Sequence, residues 1–194
     1  LKAKGIKNNK FFLAIYDPDL MGVDPYDPNL TLQMKTKIFR ECVTNYWYFL
    51  REVVRIPVEG GSTRGKRYKM HRGNLAMNYL FIHNYDQFVE FPRQHFKTVS
   101  AICWYLWVFN FGSTNTQMMF INMKHESSKA NLRKLKDIRS ALPDYLQMDS
   151  LLDRDGKKIK ATNKAETLQH PSNRNVIKTL PAARTKTMAD GAGR

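Results

Sequence analysis

Apolar residues recur largely at three- and four-residue steps between positions 31 and 54: Met34, Ile38, Phe39, Cys42, Val43, Tyr46, Phe49, Leu50 and Val53. That period predicts an amphipathic helix. Residues 71–81 read as a second helix. Residues 99–111 are apolar on every side (Ile102, Trp104, Tyr105, Leu106, Trp107, Val108) and read as a helix buried between a sheet and its neighbours. Gly112-Ser113-Thr114-Asn115 stops that helix. Residues 85–91 and 117–123 read as core strands on either side of it. A polar turn from Lys124 leads into a further helix that closes at residues 141–147, and residues 175–183 read as the next strand. Strands alternating with helices predict an α/β fold with a mainly parallel sheet and right-handed crossovers.

The segments between these elements are legible too. Residues 1–30 carry three Asp-Pro steps, at Asp17, Asp24 and Asp27, and read as an irregular, turn-rich arm with an apolar patch at residues 11–16. Turn-forming Asp explains those acids better than a cation loop, whose spacing does not occur. Asp155-Gly156 within residues 148–164 predicts a turn between short strands. The aromatic run Tyr46-Trp47-Tyr48-Phe49 could stack on nucleic acid, but a packed helix face is the stronger reading.

Composition changes the picture in one respect. The chain has 194 residues, 42% of them hydrophobic and 12% aromatic, which suits one domain with a real core. Lys and Arg number 32 against 17 Asp and Glu, a net charge of +15. Such a balance favours a polyanion such as DNA; a solvated basic surface is the other reading. Arg64, Lys66, Arg67 and Lys69 concentrate charge in the Gly-rich stretch 57–72, read equally as a DNA-backbone contact or as a plain surface loop or hairpin. Cys42 and Cys103 sit among apolar residues and read as buried free thiols of a reducing compartment. No metal-ligand spacing and no signal-peptide pattern occur, and the most apolar run falls short of the roughly 20 residues a bilayer span needs. The absence of an initiator Met suggests an excerpt or a processed piece.

Candidate chemistry centres on Glu90-Phe91-Pro92-Arg93-Gln94-His95-Phe96-Lys97-Thr98, between the strand at 85–91 and the buried helix. A strand, a tight turn ending in Lys-Thr and a helix start is the arrangement that holds nucleotide phosphates. Lys97 would supply a point charge toward the β/γ-phosphates, Thr98 would ligate Mg²⁺, and the helix start would offer N–H groups. Aligned on Lys97, both glycine positions of the general phosphate-loop pattern are Phe, at 91 and 96. Glycine at the second allows unusual dihedrals and close backbone approach, so the Phe96 side chain must point away from any nucleotide.

Pro92, Arg93, Gln94, Lys97 and Thr98 resemble the phosphate loop of the large terminase subunits of tailed phages, which reads [SCP]-R-Q-x-G-K-[ST]. The resemblance spans about residues 70–194. It includes the strand at 117–123 with its polar turn, the Leu142-Pro143-Asp144-Tyr145-Leu146 helix ending, the strand at 175–183, and Asp190 to Arg194 as the turn before the place of the family's acidic strand. It implies a RecA-like P-loop (ASCE-type) ATPase domain over 70–194, preceded by an arm, helix and basic loop over 1–69. It implies ATP and Mg as cofactors, with Gln94, His95, Phe96, Lys97 and Thr98 around the phosphates. Arg93 would be an arginine finger or, alternatively, a structural ion pair. Asn74 would take the place of a Gln that reads adenine, or else be a helix N-cap. The strand ending in Asp-Glu that polarises water is not found; in the family it would follow Arg194, so the chain alone would hydrolyse ATP poorly. The whole protein would drive double-stranded DNA into a procapsid in the cytoplasm of the infected host. It would act as a homo-oligomeric ring on the portal protein, with the small terminase subunit as partner and no membrane. Two alternatives stand beside this: a helicase-type translocase, and a basic DNA-binding module whose nucleotide site has decayed.

Overall fold

The computed structural model describes residues 10–58, 65–86, 88, 90, 96–148, 150–152, 156, 158–160 and 162–182. Its helices are α1 (Leu32–Thr44), α2 (Tyr46–Tyr48), α3 (Arg72–Ile82), α4 (Lys97–Trp107), α5 (His125–Ser140) and α6 (Asp144–Gln147). Its strands are β1 (Arg55–Ile56), β2 (Lys66–Arg67), β3 (Gln117–Asn122), β4 (Ser150–Leu152), β5 (Lys158–Lys160), β6 (Thr162–Lys164), β7 (Thr167–Gln169) and β8 (Val176–Pro181). The fold is mixed α/β.

The first half is helical. Thr31 caps α1 by accepting a hydrogen bond from the Met34 N–H at 3.2 Å. The helix read from sequence over 31–54 is interrupted at Asn45, whose side chain both stops one segment and starts the next. Its Oδ1 accepts the Tyr48 N–H at 3.1 Å, and its Nδ2 donates to Glu41 Oε1 at 2.7 Å and to the Ala14 carbonyl at 2.9 Å. Glu41, buried, also accepts the N–H groups of Tyr16 at 2.8 Å and Asp17 at 3.0 Å, which fastens the arm to α1. The arm is turn-rich as read. Asp17, Asp24 and Asp27 each accept an N–H two residues on. The aromatics Tyr46, Trp47, Tyr48 and Phe49 are buried in the core, as the packed-face reading requires. A π turn, Phe49–Val53, then leads into β1.

Gly65 has φ +70°, and a Cβ there would lie 2.6 Å from the Ile56 carbonyl oxygen, so the β1–β2 hairpin needs glycine at that point. Val108–Gly112 forms a second π turn at the end of α4. The Trp107 ring lies so close to Gly112 that a Cβ there would meet it at 2.6 Å.

The sheet has four strands in the order β3-β8-β7-β6. β3 and β8 pair in parallel, with Gln117 opposite Val176 and Asn122 opposite Pro181; β7 pairs antiparallel with β8 and with β6. The sheet is therefore mixed, not mainly parallel. β6 and β7 form a short hairpin, whose antiparallel pairing follows from the tight turn between them. Met118, Phe120, Ile177 and Leu168 face inward, toward the buried Leu132, Leu135 and Ile138 of α5. Met119 and Ile121 alternate to the outer face, 39% and 56% exposed. One core cluster runs from Leu20 and α1 through Tyr68, α4 and α5 to Ile177. Cys42 and Cys103 are buried free thiols within it. Separately, β4 and β5 pair antiparallel, two short strands as read within residues 148–164; Asp155 lies outside the described residues.

Of the nucleotide strand read at 85–91, Gln87, Val89 and Phe91 lie outside the described residues. Its described residues Tyr85, Asp86, Phe88 and Glu90 belong to no strand, and Phe88 is 95% exposed. An apolar segment makes a strand only where a neighbour offers its backbone hydrogen bonds, and among the described residues none pairs with these four.

Candidate functional site

α4 runs opposite to β3. The Tyr105 hydroxyl near its end donates to the Met119 carbonyl at 3.4 Å, and Asn175, just before β8, donates to the carbonyls of Val108, Phe109 and Ser113. The start of α4 therefore points to the end of the sheet where β3 and β8 terminate. That carboxyl end is where open α/β sheets place ligands. α5 starts there as well, directly after β3.

The residue before Lys97-Thr98 has an unusual backbone. Phe96, the N-cap of α4, lies in the left-handed region at φ 56°, ψ 13°. Glycine adopts that conformation freely, whereas a side chain pays strain of order 1–3 kcal/mol. The helix starts without a side-chain cap. Lys97 and Thr98 are both exposed. The Phe96 ring turns toward the start of α3: its centroid is 6.4 Å from that of His71, and Lys69 Nζ lies 5.8 Å from it. Arg93, Gln94 and His95 lie outside the described residues.

A buried polar chain fixes this helix start. Tyr46 OH donates to Asn78 Oδ1, and Asn78 Nδ2 donates to Tyr68 OH at 3.0 Å and to the Asn74 carbonyl at 2.7 Å. Tyr68 OH shares a hydrogen bond with Ser100 Oγ, which donates to the Phe96 carbonyl at 3.0 Å. Asn78 and Ser100 are fully buried and Tyr68 is 4% exposed. Burial pushes the Tyr46 and Tyr68 phenols well above their ordinary 10.0, so both stay protonated. Sequence reasoning took Tyr46 for part of a packed helix face and passed over the polar roles of Tyr68, Asn78 and Ser100. Their signal was faint: one Tyr amid Lys66, Arg67 and Lys69, and one Ser in an apolar helix.

Asn74 is not the N-cap of α3; His71 is, through an Nδ1 that accepts the Asn74 N–H at 3.4 Å. The Asn74 side chain is 1% exposed, and its Nδ2 donates to the Lys69 carbonyl at 2.7 Å. Its Oδ1 is buried without a hydrogen-bond partner, so a base could be read there only after local movement. Lys66, Arg67 and Lys69 are exposed along β2 and the residues after it, and Arg67 lies 3.6 Å from Glu52. Arg64 lies outside the described residues.

The start of α5 is held differently. Ser128, fully buried, donates to the Leu180 carbonyl at 3.0 Å and accepts from Asn122 Nδ2 at 3.1 Å. His125 meets Thr179 Oγ1 at 3.2 Å, and Lys129 pairs with Glu166 at 2.9 Å. The Glu166 hydrogen bond raises the Lys129 pKa, and Lys129 in turn lowers that of Glu166.

A cavity of about 280 Å³ lies between the arm and the hairpin, lined by Leu20, Asp24, Glu52 and Arg67 among others, and one of about 440 Å³ lies over Lys37, Arg40 and Glu41. Neither includes Phe96, Lys97 or Thr98. Among the described residues no group of His, Cys, Asp and Glu could hold a metal ion, and no helix is long and apolar enough to cross a membrane. No family model and no curated protein matches the chain.

Proposed function

We propose that the start of α4 is a nucleotide-phosphate site in a RecA-like P-loop domain, the ATPase portion of a phage terminase large subunit. One observation carries the reading: Phe96, in the glycine position of the Arg93-Gln94-x-x-Lys97-Thr98 loop, adopts the left-handed backbone that a glycine there would take. Its ring packs near His71 at the start of α3 and under Lys69, contacts compatible with an open approach to the start of α4. The uncapped first turn of α4, exposed Lys97 and exposed Thr98 fit ATP with Mg²⁺. Lys97 would bind the β/γ-phosphates and Thr98 the ion. Bound Mg²⁺ would neutralise charge on the transferred phosphoryl group. Arg93 would face the γ-phosphate, with Gln94 and His95 completing the loop.

The whole protein would couple ATP hydrolysis to movement of double-stranded DNA into a procapsid, as a ring on the portal with the small terminase subunit, in the host cytoplasm. The net charge of +15 supports a DNA partner, and Arg64, Lys66, Arg67 and Lys69 are the proposed contacts.

Calorimetric titration with Mg-ATP tests the site. Binding abolished in Lys97→Ala is the expected result. A parent chain that does not bind, both alone and extended past Arg194, would leave the reading without support and favour a DNA-binding module with a decayed nucleotide site.

A further inference from the structure

We infer that Tyr68 couples polyanion contact on Lys66, Arg67 and Lys69 to the orientation of the Phe96–Lys97 peptide. The inference deepens the proposed function, since that peptide presents the first N–H of α4 to the phosphates.

Hydrogen counting fixes the direction of the chain. Ser100 has one hydroxyl hydrogen, and it goes to the Phe96 carbonyl. The bond between Tyr68 and Ser100 must then be donated by Tyr68. The Tyr68 oxygen in turn accepts from Asn78 Nδ2. Every link therefore donates toward Phe96, and each donor is spent. The Phe96 carbonyl and the Lys97 N–H belong to one rigid peptide plane. The Phe96 carbonyl also accepts the Ser100 N–H at 2.8 Å, so a shift of the Tyr68 hydroxyl acts through Ser100 to tilt that plane, and with it the Lys97 N–H.

The outer end of the chain is exposed and charged. Tyr68 is flanked in sequence by Arg67 and Lys69, both at the surface, while its own ring is buried. A phosphate backbone gripping those residues pulls on the segment whose middle residue holds Ser100. Lys69 adds a parallel tie, because its ammonium lies over the Phe96 ring, 5.8 Å from the centroid. DNA phosphates competing for Lys69 would weaken that contact. Polyanion and helix start thus share two connections within three residues of chain.

The test uses no nucleotide, so it fails or succeeds apart from the ATP reading. The amide resonances of Lys97 and Thr98 are followed by NMR while a short mixed-sequence DNA duplex is titrated into the parent chain, Tyr68→Phe and Ser100→Ala. The expected result is a shift of both amides in the parent and loss of that shift in both variants, while the amides of Ser127 and Ser128 stay in place throughout. A parent chain whose Lys97 and Thr98 amides do not respond to saturating duplex would overturn the inference. So would variants that respond as the parent does while remaining folded by circular dichroism. Mg-ATP calorimetry then separates the two claims: amide coupling without nucleotide binding, by this chain and by one extended past Arg194, would sink the ATP site and leave the Tyr68 link standing.

Discussion

α4 and α5 each bury a serine four residues after the N-cap: Ser100 after Phe96, and Ser128 after Lys124. α5 starts directly after β3, whereas the start of α4 packs beside α3 and the residues after β2, and the two serines are anchored to different bodies. Ser128 bonds to β8 and to Asn122 of β3, so α5 is fixed to the sheet. Ser100 bonds to its own cap and to Tyr68, so α4 is fixed to the hairpin and, through Asn78, to α2 and α3. One helix start is set by the sheet; the other reports on the surface segment beside Tyr68.

The most disruptive test of this contrast is Asn78→Ala. It leaves Tyr46, Tyr68 and the Asn74 carbonyl each short of a bond, and should cost about 3 kcal/mol in urea denaturation. A cost under about 1 kcal/mol would mean that the chain does not hold α4.

Alkali should act next. The Tyr46 and Tyr68 phenols are raised by burial, so the unfolded chain loses their protons first, near the ordinary 10.0. Their stabilisation is complete below about pH 10 and declines as pH rises further, by up to about 1.4 kcal/mol per pH unit for each phenol. Urea denaturation from neutral pH to about pH 11 should show a shallower loss in Tyr68→Phe than in the parent; equal slopes would refute a buried, protonated Tyr68.

Ser128→Ala removes a link with no titrating group in it. It should cost about 1–2 kcal/mol, seen as a lower Tm, and leave the Lys97 amide shift untouched. A moved Lys97 resonance would show that the two helix starts are not independently anchored.

Phe96→Gly should change stability least, within about 1 kcal/mol, because relief of left-handed strain offsets the lost contacts with His71 and Lys69. Its informative readout is Mg-ATP affinity, which should rise. Unchanged affinity would mean that the Phe side chain costs the site nothing.

Much of this architecture was legible because it is written locally. β3, α5 and β8 carry strong periods, and the arm's Asp turns use bonds spanning two residues. What depended on distant partners was not legible. Asn45 splits a periodic helix because Ala14, 31 residues away, claims its amide. Residues 85–91 look apolar and strand-like, yet among the described residues nothing pairs with Tyr85, Asp86, Phe88 or Glu90. β6 is three polar residues long and exists by pairing with β7, so no hydrophobic run announces it. Lys97 and Thr98 stood out through their motif, but the part of the site that orients them did not, because Tyr68 and Ser100 are 32 residues apart.

β3 also carries its own chemical ruler. Met118 is 8% exposed and its neighbour Met119 is 39% exposed, while Met123 beyond the strand end is 88% exposed. Peroxide turns accessible thioether sulfur into sulfoxide, so oxidation should rank Met123, then Met119, with Met118 spared. A slip of β3 by a single residue would exchange the fates of Met118 and Met119. Peptide mass spectrometry of an oxidised sample therefore reads strand register directly from two adjacent side chains.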